Sequence, residues 1–424
     1  MSKNHDADVI VAGAGPAGAT AALRLARAGL RVLMIERFAL PRQKPCGGGI
    51  STRALSRFPW LSESLQQIPN LPVSSLYLEG PSRDVFRMRS EGPAVILIRR
   101  IEFDYMLVSR AREAGATILA PAAVATATQD EHGVSLRLRD GGELRARMVI
   151  AADGVNGVIA RRLGMNPGWA AAHLALDMME ETPVAELRAA EPETLAVFYG
   201  YGGAHGYAYI FPKRGHVNVG IGYVLPYFKE RNGVTPYDLQ RQFVGDLKTR
   251  GLIDGESQRA HFTPHHIPIG GPLRSTARGR VLLAGDAGGF VNGFSAEGIY
   301  YAMVSGELAA DAIVEARAGA DFAPARARRA YVRAWRHEIG GELRDSVLIQ
   351  KYLLHSPARM DRVVRGAIRR PEFSTILVDY ASGRIGYRTA RRRLLWHFPK
   401  LLPQLAWQAL RGRRSGILRE PQHG

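Results

Sequence analysis

Three features predict an α/β fold: a strand, glycine loop, helix and strand in succession at the N-terminus; two later apolar strands ending in Asp-Gly and Gly-Asp; and alternating segments between them that read as an antiparallel sheet. The expected architecture is an α/β domain on a largely parallel sheet, an antiparallel-sheet region interleaved with it, and a helical C-terminal tail. At 424 residues, 46% hydrophobic and 23% charged, the chain has an ordinary globular composition and enough length for two closely joined domains.

The first element is the run 8–12, DVIVA, whose β-branched residues suit a strand buried on both faces. Gly13-Ala14-Gly15-Pro16-Ala17-Gly18 follows, a match to GxGxxG. ATAALRLARAG then carries the small and apolar spacing of a helix ending at Gly29. A second strand, RVLMIE, ends in Glu36, 18 residues after Gly18. The glycines let the backbone turn tightly and approach a pyrophosphate, the helix N-terminus offers free N–H groups, and a terminal acid can hold a ribose hydroxyl. A glycine turn alone is weak evidence; in this order the parts make a Rossmann-type dinucleotide-binding unit. The unit alone does not choose between NAD and FAD.

Two distant segments make that choice. Met148–Gly154 is an apolar strand ending in Asp153-Gly154. Val281–Ala287 is another, ending in Gly285-Asp286 at a helix start. An aspartate at a strand end can accept hydrogen bonds from a ribityl chain, although singly such residues are often helix caps. With these motifs in order, residues 5–320 resemble the class A flavoproteins typified by p-hydroxybenzoate hydroxylase. The resemblance implies FAD bound by Gly13, Gly15, Pro16, Ala17 and Gly18, by Glu36 and Arg37, and by Asp153, Gly154, Gly285 and Asp286. It adds Val124 and Arg100, the latter from Arg100-Ile101-Glu102-Phe103-Asp104, which is similar to the arginine preceding a helix along the flavin edge.

Two further pieces select a branch. In Lys44-Pro45-Cys46-Gly47-Gly48-Gly49 a run of small side chains lets the backbone approach a large flat group. Residues 207–222, YAYIFPKRGHVNVGIG, read as two strands flanking the turn Pro212-Lys213-Arg214-Gly215. Both pieces resemble the geranylgeranyl reductase family, and Gly293 to Gly298 fits that family's glycine-rich loop beside the flavin. Tyr209 stands where the family has tryptophan, which puts pocket shape in question. The resemblance implies reduction of isolated C=C bonds in a polyprenyl lipid, with NADPH or reduced ferredoxin as electron donor. It makes Cys46 and Tyr209 candidate catalytic residues and Cys46, Gly47 and Gly48 cofactor contacts. Tyr207, Tyr209, Phe211, Lys213 and Gly293 become candidate substrate contacts, with Lys213 either binding an anionic head group or simply solvated on its hairpin. A lone cysteine is commonly a small buried hydrophobe, and tyrosines on strands commonly pack. The alternatives are an aromatic monooxygenase of the same fold and, in another class, a non-catalytic flavin protein binding membrane or nucleic acid. A flavin halogenase is disfavoured because the Gly-Trp-x-Trp-x-Ile-Pro signature is absent.

Adjacent His265 and His266 would point to opposite faces of a strand, so no metal clamp is expected. The FAD-binding domain is expected from 5–70, 95–165 and 270–320, the antiparallel-sheet substrate domain from 71–94 and 166–269, and the helical basic region from 321–424. Of the net charge of +18, nine basic residues and no acids fall between Arg384 and Arg414. With Trp396, Phe398 and Trp407 this stretch could attach to a membrane surface, cap the substrate tunnel or bind nucleic acid; the last has no accompanying motif. One cysteine, no signal-like N-terminus and no apolar run long enough to span a bilayer point to a cytoplasmic protein, peripheral at most on the inner face of the cell membrane.

Overall fold

The four strands picked out by their β-branched runs lie side by side. In the computed structural model, which describes residues 5–397 except 204, 231–232, 319–320 and 382–383, an eight-stranded sheet is built around Ala7–Ala12. Glu143–Ala151 and Val32–Ile35 flank that strand in parallel, with Val281–Leu283 and Thr117–Leu119 parallel outside them. All their C-terminal ends therefore open on one edge, where ligands bind in open α/β sheets. Helix Pro16–Arg27 starts at the glycine loop and buries its small residues on helix Ile299–Ala316. Gly306 permits this closeness, since a Cβ there would stand 2.1 Å from the Ala17 carbonyl oxygen; Gly18 brings the helix against its own loop, where a Cβ would stand 1.9 Å from the Gly13 carbonyl oxygen.

A second sheet of seven strands covers that edge. In order it runs Phe262–Pro268, Leu174–Pro183, His216–Val224, Gly206–Lys213, Thr194–Tyr199, Ser75–Glu79 and Val85–Arg89. It departs from the expected antiparallel pattern at one place. Thr194–Tyr199 runs parallel to Ser75–Glu79, because these strands come from chain segments separated by half the strands of the first sheet and need no hairpin between them. Along each strand alternate side chains face opposite ways. Leu176, Met178, Val219 and Ile221 enter a core under helix Pro236–Thr249, while Asp177, Met179 and Glu181 turn toward the first sheet. Helices Pro324–Trp335, Gly341–Leu353, Pro357–Arg369, Pro371–Ala381 and Tyr387–His397 form the tail, so the expected helical C-terminal region is present. Phe398, Trp407 and the rest of the basic stretch beyond them lie outside the described residues.

Candidate flavin and lipid site

Between the sheets lies a cavity of about 2250 Å³. Its polar end is the edge of the first sheet. Ala14 donates its N–H to the Glu36 carboxylate at 3.0 Å, and Arg42 pairs with Glu36 and with Asp104, each at 3.0 Å. Arg100, buried at the start of helix Arg100–Glu113, grips Asp104 with two hydrogen bonds of 2.7 and 2.8 Å. Burial would penalise its charge, and Asp104 more than compensates, holding the guanidinium charged. A Cβ on Gly15 would lie 3.8 Å from one guanidinium nitrogen of Arg42 and 3.9 Å from one of Arg100. Two cations therefore face a glycine loop with room in front of it, at the N-terminus of a helix, which is a site for a diphosphate.

Asp153 lines the cavity but spends one oxygen as a cap. Its Oδ2 accepts the N–H groups of Val158 and Ile159, while the buried Oδ1 has no partner. That oxygen lies against Gly157, 2.3 Å from where a Cβ would sit, while a Cβ on the cavity-lining Gly154 would meet nothing within 4 Å; an unpartnered carboxylate beside such a gap fits a hydroxylated ligand chain. Asp286 sits on the turn Gly285–Gly288, and a Cβ on Gly298 would come 3.7 Å from its Oδ1. Together these features fit FAD: charge for the diphosphate, an acid at the second strand, and aspartates at the ends of two further strands. Arg37, Val124 and Gly293 line the same cavity.

The Pro-Cys-Gly-Gly loop crosses the middle of the cavity. Gly48 has φ of +74° and lies against the Ile98 carbonyl, where a side chain has no room. The Cys46 Sγ accepts the Gly48 N–H at 3.3 Å, and the Cys46 carbonyl faces Asn218 Nδ2 and Lys213 Nζ, each at 3.4 Å. Phe211 packs against Gly47, and Tyr209 packs on Phe211 with ring centres 4.6 Å apart. Tyr207 donates its hydroxyl to the Ser295 carbonyl at 2.6 Å, tying the strand to the 293–298 loop.

The structure corrects the reading of Lys213. It is neither solvated nor on the cavity wall: it is 5% exposed and paired with Glu181, because its strand turns that side chain under the 44–49 loop. Gly18 likewise packs its helix on the glycine loop and does not line the cavity.

Sequence reading missed the titratable cluster beside Tyr209. Asp177 accepts the Tyr209 hydroxyl at 3.2 and 3.3 Å, and burial pushes its carboxyl up to about 7. His265 pairs across the sheet with Asp177 and contacts the Lys44 ammonium. Burial pulls Lys44 down to about 8, and burial together with the Lys44 and Arg100 charges pulls His265 down to about 3. His265 thus faces the cavity, and among the described residues no group of His, Cys, Asp and Glu could hold a metal.

Beyond Tyr207 the wall turns apolar. Leu78, Phe86, Met88, Tyr199, Phe294 and Ile349 line it, and Tyr199 stacks on Phe294 at 5.8 Å. The tail helices close this end. Arg53 ties them down, bonded at 2.8 Å to both Glu297 and Glu342 and at 2.9 Å to the Tyr301 hydroxyl.

Comparison with known proteins agrees with this geometry. The model of the FAD binding domain family matches residues 6–315. Digeranylgeranylglycerophospholipid reductase 2 of Methanothermobacter thermautotrophicus is 32% identical over 364 residues, 82% of this chain and 87% of that protein. Menaquinone reductase of Mycobacterium tuberculosis is 31% identical over 330 residues, 73% of this chain and 77% of that one. The crystal structure of a geranylgeranyl bacteriochlorophyll reductase-like protein from Thermoplasma acidophilum superposes with a TM-score of 0.78 at 22% identity, covering 94% of this chain and 98% of that one. The chain belongs to the FAD-dependent oxidoreductases of the geranylgeranyl reductase family.

Proposed function

We propose that this enzyme saturates C=C bonds in the polyprenyl chain of a lipid. The observation that carries the reading is the continuity of one cavity from the diphosphate end at Gly15 to the apolar end at Phe86, Met88 and Ile349. A polyprenyl chain is long, flexible and without polar atoms, and a wall of aliphatic and aromatic side chains is what aligns it. Digeranylgeranylglycerophospholipids and menaquinones, named for two relatives, share such a chain and differ in head group.

Reduced FAD supplies a hydride when bound. The chain's own residues do the rest. Arg42, Arg100 and the loop Gly13–Ala17 hold the diphosphate, and Glu36, Asp153 and Asp286 meet the sugar and ribityl hydroxyls. Gly47 and Gly48 let the backbone approach the ring, and Phe211, Tyr207 and Phe294 hold the alkene against it. The apolar lining keeps water from the reacting bond. The electron donor is NADPH or reduced ferredoxin. The exposed Trp396 and the arginines of helix Tyr387–His397 support a second part of the proposal, attachment of the tail to an anionic membrane where the lipid resides.

The test is anaerobic: the dithionite-reduced protein is mixed with a digeranylgeranyl phospholipid or menaquinone and products are read by mass spectrometry. A gain of two mass units per double bond, with flavin reoxidised, is the expected result. A phenol gaining 16 mass units under oxygen, with both lipids untouched, would establish the monooxygenase instead.

A further inference from the structure

Reduction of an isolated alkene needs a proton as well as a hydride, and the wall of the cavity carries a place to keep one. Asp177 lies on strand Leu174–Pro183 between Gly222 on one neighbouring strand and His265 on the other. It is 6% exposed, turned into the cavity, and its two oxygens lie 3.2 and 3.3 Å from the Tyr209 hydroxyl. The sheet is cut away to admit this contact. Gly220 is the cross-strand partner of Tyr209, and a Cβ there would stand 2.5 Å from the hydroxyl oxygen. On its other side the Tyr209 ring meets Gly47, 3.8 Å from where a Cβ would sit. The hydroxyl is therefore held between a buried carboxyl and the loop that crosses the cavity.

We propose that Asp177 and Tyr209 form the proton relay of this reductase, Tyr209 as the donor at the alkene and Asp177 as the reservoir behind it. This rests on the polyprenyl-reductase reading given above. With bound reduced FAD as the hydride source for one alkene carbon, the Tyr209 O–H bond would break and a C–H bond would form at the other. The phenolic oxygen takes the proton of the Asp177 carboxyl in the same movement, so no tyrosinate accumulates. The product gains one hydride and one proton, and Asp177 is left ionised until water returns its proton.

The surroundings suit the task. The groups facing Asp177 are Tyr207 and Tyr209 from one strand, His265 from another, and Lys44 from the crossing loop, while Gly222 offers no charge. Lys44 is the cation acting on Asp177, and its own charge is weakened by burial and by Arg100. Asp177 thus holds its proton near neutrality, in step with the direction burial gives it.

The experiment follows the Asp177 carboxyl C=O stretch by infrared difference spectroscopy on the oxidised holoenzyme between pH 4 and 9. A protonated-carboxyl band present at pH 6, disappearing with a midpoint near 7 and absent from Asp177→Asn, is expected. Tyr209→Phe should move that midpoint upward, since the lost hydrogen bond favours the ionised form. In the same preparations, lipid-dependent reoxidation of reduced flavin should slow at least about tenfold in each variant, with flavin content and absorbance retained. A wild-type carboxyl already ionised at pH 6 overturns the relay, as do wild-type reoxidation rates in both variants. If no lipid is reduced by the wild type, the reductase reading fails. The infrared titration then still decides whether Asp177 stores a proton.

Discussion

Gly15 has φ of −82°, a backbone that any residue adopts, so what forbids a side chain there is the ligand and not the fold. Gly15→Val should leave the melting temperature of the flavin-free protein unchanged while weakening FAD at least about tenfold, or about 1.4 kcal/mol. Flavin fluorescence quenching measures the loss; an unchanged Kd would move the diphosphate elsewhere. Asp177 makes a second residue-level prediction. Its carboxyl is raised from 3.8 to about 7 in the folded protein, so the folded state keeps a proton that the unfolded chain releases. Stability therefore falls as pH rises from about 4 through about 7 and levels off above it. Asp177→Asn should remove that slope and melt higher than wild type at pH 8, as thermal unfolding across pH would record. The glycine loop and its acid were legible because all their parts sit within one local unit. The Asp177 cluster was not: Tyr209 is 32 residues away and Lys44 lies 221 residues from His265, and only folding makes them neighbours.

At the scale of elements, the four strands that end the dinucleotide motifs were legible from β-branched runs, and they proved adjacent in the sheet. The parallel pairing of Thr194–Tyr199 with Ser75–Glu79 was not, since neither segment carries a sign of its partner. Nor was the tie made by Arg53, which joins helix Arg53–Arg57 to helix Gly341–Leu353 and to the 293–298 loop. Arg53 is buried with Glu342, and its guanidinium lies 4.0 Å from the centre of the Tyr300 ring. Arg53→Met would leave two carboxylates without their cation, at a cost of about 3–5 kcal/mol. Glu342 is already pushed up by burial, so losing its cation raises it further and lets protonation relieve the strain as pH falls. Denaturant unfolding should find the deficit of Arg53→Met smaller at pH 5 than at pH 8. An equal deficit at both would mean that packing, and not charge, carries the tie.

For the whole molecule, the decisive property is that the ligand edge of one sheet and the face of another enclose a single connected space, which the tail helices close. Sequence patterning indicated both sheets but not how deep the space between them is, because depth depends on which alternate face of each strand turns inward. Among the described residues no helix is long and apolar enough to cross a membrane, and the proposed function places the lipid chain in the cavity between the sheets. The tail then sets how far it can enter. Ile349, on helix Gly341–Leu353, lines the cavity in the cluster that holds Phe86, Tyr199 and Phe294. Ile349→Trp adds volume inside the channel and nothing at the flavin. Flavin content and its reduction by dithionite should be unchanged, while long polyprenyl substrates lose at least about tenfold in kcat/KM and stop at partly saturated products. A short prenyl substrate, which never reaches Ile349, should be reduced at the wild-type rate. Equal losses for short and long chains would place the reacting lipid along another path through the cavity, and mass spectrometry of the product mixtures separates the two outcomes.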